Sequence, residues 1–306
     1  MKISFVIPVF RNEGSIEPTY EKIRDLMLKI CVECEIIFIN DGSDDNSIGE
    51  LKALHKSDKQ LKIISFSRNF GQVAAIVAGL KIVTGDAVII MSADLQEPIS
   101  LVEDMIKKHR EGSEIVICHR IDRDDSFIAN IASSIFYKLM KSLNSKMPRG
   151  GFDFMLLGND SLHALNSIEE RNRFLQGDIL WLGFSTVFIP YRRLKRTVGR
   201  SQWTLSKKLK YFIDGLINSS YVPIRMMSLI GIVTSFIGFI YALYIAYNRF
   251  MNNTPFDGWA PIMILILIIG GLIMLMLGII GEYVWRTYDE TRKRPLYIIK
   301  ENSRDE

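Results

Sequence analysis

Continuous apolar runs alternate with amphipathic segments over the first 120 residues of the chain. The runs occur at 2–10, 35–40, 61–65, 87–91 and 114–118. Runs of this kind are typical of parallel strands that are covered on both faces. Between them, apolar residues recur at helical spacing, for example in 15–30, 69–83 and 99–111. The alternation predicts repeated βαβ units, and therefore an α/β domain with a mostly parallel sheet.

The next part of the chain, up to residue 203, has a less regular pattern. Residues 122–147 read as an amphipathic helix and 152–157 as a strand or a strand-like turn. Asn159 or Asp160 is placed to cap a further helix, and 185–191 predicts the last strand. Within the first strand, Pro8 is expected to end regular pairing. We therefore expect one α/β domain that spans residues 1–203.

Two segments of 23 residues without a charged side chain dominate the last third of the chain, at 226–248 and 259–281. As helices, each would extend over about 34 Å, enough to cross a hydrocarbon core of about 30 Å. The short polar segment around Pro255 predicts a turn between them. We therefore expect a transmembrane hairpin at 225–285, followed by a tail at 286–306.

Basic residues flank this hairpin unevenly. Arg225 precedes it, and cations at 286 and 292–294 follow it, whereas only Arg249 lies near the turn. By the positive-inside rule, the large domain and both termini are expected to face the cytoplasm, with the chain crossing the membrane twice.

The segment between the domain and the hairpin, 204–224, combines apolar positions at helical spacing with lysines at 207, 208 and 210. An amphipathic helix of this kind lies in the membrane interface, with its basic residues towards anionic headgroups. An ordinary helix of the domain is the alternative. The position directly before a membrane span favours the interfacial helix.

The overall charge and the cysteines argue against several classes of protein. The net charge is only +4, which gives little support to nucleic-acid binding. Three cysteines, two of them in a single CxxC pair, favour neither a disulfide framework nor a zinc site, and they fit a reducing compartment. The first apolar run is too short for a signal peptide.

A charged side chain follows each of the five strands predicted in the first 120 residues. These side chains are Glu13, Asp41, Arg68, Asp94 and Arg120. Because parallel strands joined by right-handed crossovers end at the same edge of the sheet, we expect all five side chains at one edge. That edge is where open α/β sheets bind their ligands.

Asp94 is the most informative of the five, because a buried strand stops there and Gln96 follows two residues later. A carboxylate and an amide oxygen suit Mg2+ or Mn2+, which keeps several of its positions for water and phosphate. Capping of the helix that starts near Pro98 is the alternative role for Asp94. The chain has neither GxGxxG nor GxxxxGK[ST], which argues against dinucleotide-binding and P-loop enzymes.

The residues at this edge instead resemble the sugar-nucleotide-binding domain of family 2 glycosyltransferases. The matching stretches are Pro8-Val9 with Glu13, Asn40-Asp41-Gly42-Ser43, Arg68-Asn69-Phe70-Gly71, Ala93-Asp94-Leu95-Gln96-Glu97-Pro98 and Asp153-Phe154. Further stretches resemble the polyprenyl-phosphate branch of that family: Glu170-Arg171-Asn172, Arg196 with Gly199, Ser201 and Trp203, and Gly281-Glu282-Tyr283 with Arg286-Thr287-Tyr288. Within the branch, the chain is most similar to the bactoprenol glucosyltransferases of O-antigen modification, and it is also similar to dolichyl-phosphate mannose synthases.

The resemblance implies a nucleotide-binding, Rossmann-like domain of the GT-A type and a role for each matching residue. Pro8, Glu13 and Asp41 would line the uridine pocket, and Arg68 would lie near the diphosphate. Asp94 and Gln96 would hold Mg2+ or Mn2+, with Asp94 counted among the catalytic residues. Arg120, Arg196 and Ser201 would receive the phosphate of a lipid acceptor. Asp153 would lie near the acceptor, either as a general base or as the residue that orients the arginines.

Three positions depart from the pattern of the family. Ser92 stands at the first position of the usual D-x-D metal motif, Asn40 stands where the nucleotide motif usually has an acid, and Met155 replaces a residue that is often basic. Ser92 removes one carboxylate from a site with few protein ligands, so it leaves metal dependence open. Asp94 and Gln96, together with substrate phosphates, can still coordinate an octahedral ion.

On this resemblance, we expect inverting transfer of a hexose, in first place glucose, from a UDP-sugar to undecaprenyl phosphate at the bacterial inner membrane. The expected partners are the UDP-sugar, undecaprenyl phosphate, membrane lipid and further copies of the chain, packed through Gly270, Gly271 and Gly278. Nucleic acid is not an expected partner. The alternatives are a mannosyltransferase that uses GDP-mannose, and a membrane-anchored sugar-nucleotide-binding protein that has lost catalysis.

Overall fold

A computed structural model describes residues 1–121, 147–148, 151–194, 222–252 and 259–303. The chain divides into two compact units, Met1–Gly215 with Pro295–Glu306, and Leu216–Arg294. The predicted helix at 122–147 and the predicted interfacial helix at 204–224 lie outside the described residues, apart from their last positions.

The first unit contains a mixed sheet with helices between its strands. Its strands are β1 (Lys2–Val9), β2 (Glu33–Asn40), β3 (Lys62–Phe66), β4 (Ala87–Ile90), β5 (Ile115–Arg120), β6 (Phe154–Gly158), β7 (Thr186–Tyr191) and β8 (Ile299–Asn302). Its described helices are α1 (Ile16–Lys29), α2 (Ser47–Ser57), α3 (Gln72–Leu80), α4 (Leu101–Arg110), α5 (Asn159–Asn166) and α6 (Leu175–Trp181).

The strands are ordered β7-β5-β6-β4-β1-β2-β3-β8. β6 and β8 run antiparallel to their neighbours, and the other six strands all run in one direction. The central strand β1 lies between β2 and β4, so that Val6 is opposite Ile37 on one side and Ile90 on the other. Burial of β1 and β4 under helices on both faces explains their continuous apolar sequences. The predicted α/β fold with a mostly parallel sheet is confirmed.

The prediction that Pro8 ends regular pairing is wrong, because β1 continues to Val9 with Pro8 opposite Ile39. Val6 accepts a hydrogen bond from Met91 N on the β4 side, and Val9 accepts one from Asp41 N on the β2 side. By this alternation, Pro8 directs its missing N–H towards β4, beyond Val6, where the β1–β4 pairing ends. Pro8 therefore costs the sheet no hydrogen bond.

The N-terminus of α5 is capped from outside its own sequence, so the prediction that Asn159 or Asp160 caps it is wrong. Gly158 occupies the N-cap position, and the carboxylate of Glu114, directly before β5, accepts a 2.8 Å hydrogen bond from Ser161 N. A Cβ at position 158 would come 2.5 Å from the Glu114 carboxylate oxygens, so glycine is required for this close approach.

The second unit contains α7 (Val222–Asn252) and α8 (Trp259–Thr291), helices of 31 and 33 residues. Both include segments long and apolar enough to cross a membrane, at Ile224–Tyr241 and Ile268–Thr291. Many large apolar side chains on them are exposed, among them Phe236, Phe239 and Met274. Exposed apolar surface of this extent suggests a membrane anchor.

The chain after α8 returns to the first unit, where β8 pairs with β3 in antiparallel register. Ser65 is opposite Glu301, and the backbone continues the pairing with 3.0 Å hydrogen bonds from Ser67 N to Ile298 O and from Ser303 N to Ile63 O. The sequence pattern predicts only a tail in this region. The strand covers the β3 edge of the sheet, which would otherwise present unpaired backbone groups.

Candidate active site

The carboxyl ends of the six codirectional strands define one edge of the sheet, and β6, which runs the other way, begins there. As a result, Glu13, Asp41, Arg68 and Asp94 follow β1 to β4 at this edge, and Arg120 ends β5. Asp153 directly precedes β6 and joins them. The topology therefore brings together five strand-end residues and one strand-start residue that are far apart in sequence.

The Asp94 carboxylate is buried and is held by its own loop. Its Oδ1 accepts hydrogen bonds from the Ser92 hydroxyl at 2.7 Å and from Gln96 N at 3.2 Å. Leu95, between Asp94 and Gln96, has a φ of 56°. This left-handed conformation turns the backbone so that Gln96 N can donate to the Asp94 carboxylate. α4 begins only at Leu101, so Asp94 does not cap that helix.

Ser92, which stands where the family usually has an acid, lies between two carboxyl groups. Its hydroxyl is in hydrogen-bond contact with Asp94 and with the buried Glu97. Burial raises the pKa of the Glu97 carboxyl, and the nearby Asp94 raises it further. The hydroxyl has one proton, so it can donate to only one of the two carboxyl groups at a time.

The segment after β7 lies against this loop. Leu194 N donates to Gln96 O at 3.0 Å, and the Gln96 side-chain amide donates to Leu194 O at 3.3 Å. These bonds bring Arg193 to Asp94, with 3.7 Å between Nη2 and Oδ2. Burial lowers the pKa of Arg193 and Arg120 lowers it further, whereas Asp94 and Glu97 act in the opposite direction. Arg193 therefore lies within electrostatic reach of both the Asp94 loop and Arg120.

The oxygen ligands at this loop suit one kind of metal ion. Among the described residues, no three His, Cys, Asp or Glu side chains gather as a metal-binding group. Asp94 and Gln96 supply a carboxylate and an amide oxygen two residues apart. This set fits Mg2+ or Mn2+ ligated mainly by water and phosphate, and it does not fit an ion held wholly by protein.

Arg120 and Asp153 form the second cluster at this edge. Arg120 Nη2 lies 3.0 Å from Asp153 Oδ2, and its Nε donates to the Tyr191 hydroxyl at 3.4 Å. The buried Gln176 of α6 donates from its amide to Phe152 O at 2.5 Å, and the same group lies 3.4 Å from Asp153 Oδ1. Asp153 is therefore held between a cation and an amide, with 43% of its side chain exposed.

Asp41 fixes the loop that joins β3 to α3. Its Oδ1 accepts from Phe70 N at 2.6 Å and its Oδ2 accepts from Gly71 N at 2.9 Å. Gly42 follows with a φ of 65°, and a Cβ there would come 2.7 Å from Arg68 Cα. The carboxylate and the glycine together hold the Arg68–Gly71 segment, which we call the β3–α3 loop, against the end of β2.

Of the other residues predicted to bind the nucleotide, Arg68 belongs to this loop, Glu13 follows β1 and Pro8 lies within β1. The Arg68 guanidinium lies 4.1 Å from the centre of the Phe70 ring. Glu13 is exposed and accepts from Asn46 N at 3.3 Å, while Asn40 accepts from Ser43 N at 3.1 Å and so stabilises the turn after β2. Pro8 lies in β1, one residue from its end.

Two predicted acceptor residues, Arg196 and Ser201, lie outside the described residues. The sequence pattern predicts no role at this edge for Glu97, Tyr191 and Arg193. Tyr191 is the last residue of β7, and Arg193 follows it by two residues. Their position at the end of a predicted strand is the sequence feature that indicates a place at this edge. Arg193 also belongs to the basic run Arg192-Arg193-Leu194-Lys195-Arg196.

Comparison with known proteins identifies the class to which this fold and site belong. The model of Glycosyl transferase family 2 matches residues 4–163. This stretch contains most of β1, the strands β2 to β6, and the carboxylates of Asp94 and Asp153. The chain therefore belongs to glycosyltransferase family 2, and it is a glycosyltransferase.

Relatives within the family match almost the whole chain. The chain is 36% identical over 302 residues to a prophage bactoprenol glucosyl transferase homolog of Escherichia coli, covering 98% of this chain and 99% of the relative. It is 38% identical over 300 residues to the putative glycosyltransferase CsbB of Bacillus subtilis, covering 98% and 91%. These matches thus extend over the two apolar helices of this chain as well as its α/β domain.

The fold also matches solved structures. Glucosyl-3-phosphoglycerate synthase of Mycobacterium tuberculosis, in complex with Mn2+, UDP-glucose and glycerol 3-phosphate, superimposes with a TM-score of 0.53 at 18% identity. The match covers 71% of this chain and 79% of that protein. At this identity the match shows the fold, which is the GT-A-like arrangement.

Proposed function

We propose that this chain transfers a hexose, in first place glucose, from a UDP-sugar to a polyprenyl phosphate of the undecaprenyl type. The observation that carries the proposal is the 3.7 Å approach of Arg193 to Asp94, at the sheet edge where Arg120 ends β5. A carboxylate suited to a metal–diphosphate complex and arginines suited to a phosphate therefore share one edge of the sheet. Bactoprenol glucosyl transferases among the full-length relatives support this choice of donor and acceptor.

On the donor side, the β3–α3 loop and the ends of β1 and β2 would receive the uridine diphosphate. Asp41 holds the backbone of that loop through two amides, so its contribution is to position Arg68 and Phe70. Arg68 would face the diphosphate, and the exposed Glu13 would accept from ribose or base groups. Pro8, at the end of the central strand, would contribute to the floor of the pocket.

Asp94 and Gln96 are the residues that would hold Mg2+ or Mn2+. When bound, the ion would neutralise charge on the diphosphate as UDP departs. Ser92 keeps the Asp94 carboxylate oriented through a 2.7 Å hydrogen bond, and Glu97 supports Ser92 from the buried side. In this way Ser92 retains part of the function of the acid that it replaces, by orienting Asp94 although it adds no charge.

On the acceptor side, Arg120 and Arg193 would receive the lipid phosphate. A phosphate monoester has a second pKa of about 6, so near neutral pH it is mostly a dianion and already nucleophilic. A strong general base is therefore not needed, and the enzyme has to place a phosphate oxygen behind the anomeric carbon. Asp153, paired with Arg120 at 3.0 Å, would act by orienting that arginine. Direct displacement would give inversion, with a β-linked product from an α-linked donor.

The two apolar helices suit an acceptor whose long tail stays in the bilayer. Their basic flanks at Arg225 and at 292–294 favour a cytoplasmic position for the catalytic domain, where nucleotide sugars are made. Arg196, Ser201 and the basic residues of 204–224 would complete the acceptor side of the site.

The test is a transfer assay with the full chain purified in detergent. Undecaprenyl phosphate is offered with UDP-glucose, UDP-galactose, UDP-N-acetylglucosamine or GDP-mannose, each with and without EDTA. We expect radiolabel from UDP-glucose to enter the lipid fraction, and EDTA to abolish the transfer until Mg2+ or Mn2+ is restored. Transfer from GDP-mannose alone would overturn the donor assignment, and the absence of transfer from every donor would overturn the proposed function.

A further inference from the structure

The C-terminal segment after the membrane helices packs against the end of β3, directly before the β3–α3 loop that is assigned to the donor. Tyr297 stacks on Phe66, the last residue of β3, with ring centroids 4.9 Å apart and an interplanar angle of 11°. Phe66 is buried, and its ring meets Phe70 edge-on at 5.7 Å. Phe70 in turn carries the Arg68 guanidinium over its face. The four side chains therefore form a continuous series of contacts from the C-terminal segment to the β3–α3 loop.

We infer that Tyr297 is a positioning residue for donor binding, acting through Phe66 and Phe70 on Arg68. The β3–α3 loop is held on one side by Asp41, which binds the amides of Phe70 and Gly71. On its other side, the ring of Phe70 rests on Phe66, and Phe66 is covered by Tyr297. Removal of the Tyr297 ring would leave Phe66 with an open face and would free Phe70 to move.

The strand β8 explains how Tyr297 is kept in place. Ile298 O accepts from Ser67 N at 3.0 Å directly beside Tyr297, and Ile63 N donates to the Ser303 hydroxyl at 2.9 Å at the far end of the pairing. Burial raises the pKa of the Tyr297 hydroxyl, as expected for a ring packed into the protein. The segment is therefore held by backbone pairing, which sets the position of the Tyr297 ring against Phe66.

The same strand supplies a matched control. Lys52 of α2 forms an exposed ion pair with Glu301, 2.6 Å apart, on the neighbouring part of β8. Exposed pairs of this kind contribute little to stability. Lys52→Ala therefore removes one exposed contact of β8 and leaves the side chains of the aromatic stack in place.

The inference rests on the assignment of the β3–α3 loop to the UDP-sugar, so the test has one arm that needs no substrate. In that arm, hydrogen–deuterium exchange of the full chain in detergent is compared for wild type, Tyr297→Ala, Tyr297→Phe and Lys52→Ala. We expect the amides of Phe70 and Gly71 to exchange about tenfold faster in Tyr297→Ala only, since opening of the loop releases their bonds to Asp41. Unchanged exchange in Tyr297→Ala, or equal acceleration in Tyr297→Phe, would overturn the inference.

The second arm measures donor binding and kinetics. Calorimetry with UDP should show a dissociation constant raised about threefold to tenfold in Tyr297→Ala, and restored in Tyr297→Phe, which keeps the ring. The KM for UDP-glucose should rise by the same factor, while kcat and the KM for undecaprenyl phosphate stay within about twofold of wild type. A parallel loss in all three constants would indicate general damage and overturn the positioning role. If wild type transfers no sugar, the proposed function fails, and the exchange arm still decides the inference.

Discussion

The guanidinium of Arg193 lies 3.7 Å from the carboxylate of Asp94, although the two residues belong to different strand ends of the sheet. Two hydrogen bonds between Gln96 and Leu194 hold the two loops together at this point. A cation at this place lowers the cost of burying Asp94 and adds positive charge where phosphates are proposed to bind.

Replacement of Arg193 tests whether it serves the substrate. We expect Arg193→Ala to lower kcat/KM for lipid glycosylation about tenfold to hundredfold, the range for loss of a charged hydrogen bond. Arg193→Lys should recover part of this, because it keeps the charge and loses the planar fork. Lys108→Ala, which removes an exposed ion pair with Glu111 on α4, is the control. Unchanged kcat/KM in Arg193→Ala would leave Arg193 only the role of neutralising Asp94.

Substitution of Asp153 tests whether this residue acts as a general base or orients Arg120. Asp153→Asn keeps the shape and a hydrogen-bond acceptor for Arg120, so we expect kcat to fall less than about tenfold. Loss of a general base would instead cost about 10²-fold to 10⁴-fold. Asp153→Ala, which removes the contact with Arg120 altogether, should raise the KM for undecaprenyl phosphate. A loss of kcat in Asp153→Asn as large as that of a missing base would restore the base assignment.

Gly42 allows the close approach of the β3–α3 loop, and Gly112 provides a matched comparison. Both have positive φ, 65° and 99°, but a Cβ at 112 would meet nothing within 4 Å. Alanine at either position carries the cost of a left-handed conformation, about 1–3 kcal/mol. Gly42→Ala must in addition displace the backbone of Arg68 and Asn69, so it should destabilise more and raise the KM for the UDP-sugar. Equal effects of both variants on KM would contradict this role of the loop.

Glu35, at the opposite end of the sheet, predicts how stability depends on pH. Burial raises its pKa, but hydrogen bonds from Lys62, Ser4 and Thr84 outweigh this and lower the pKa from 4.5 to about 2. A lowered folded-state pKa means stability that is present above pH 4.5 and is lost as the pH falls towards 2. The shift corresponds to about 3 kcal/mol.

The comparison of wild type with Glu35→Gln isolates this contribution. At pH 7 the free energy of unfolding of the catalytic domain should be lower in Glu35→Gln, by an amount on the order of the figure above. The difference should shrink as the pH falls below the pKa that Glu35 has in the unfolded chain. It should be nearly gone when the pH approaches the pKa of Glu35 in the folded state. A difference that is constant with pH, followed by denaturant unfolding in detergent, would show that the charge of Glu35 is not its source.

Local features of this protein can be read directly along its chain. Apolar runs of strand length, helical spacing between them and two uncharged segments of 23 residues were sufficient to predict the α/β domain and the apolar helix pair. The polar residues that end the first five strands could also be assigned to one edge, because chirality restricts how βαβ units connect. Each of these predictions depends on periodicity or on a general rule of connection, and both can be read along the chain.

Which distant residues meet depends on how the strands and helices assemble in three dimensions. The contact of Arg193 with Asp94, the capping of α5 by Glu114 and the stacking of Tyr297 on Phe66 all join segments far apart in sequence. None leaves a periodic signal, because each depends on strand order and on which edge a later segment covers. Strand order follows from the packing of whole elements. The pairing of β8 with β3 and the stacking of Tyr297 on Phe66 therefore cannot be predicted from local sequence patterns.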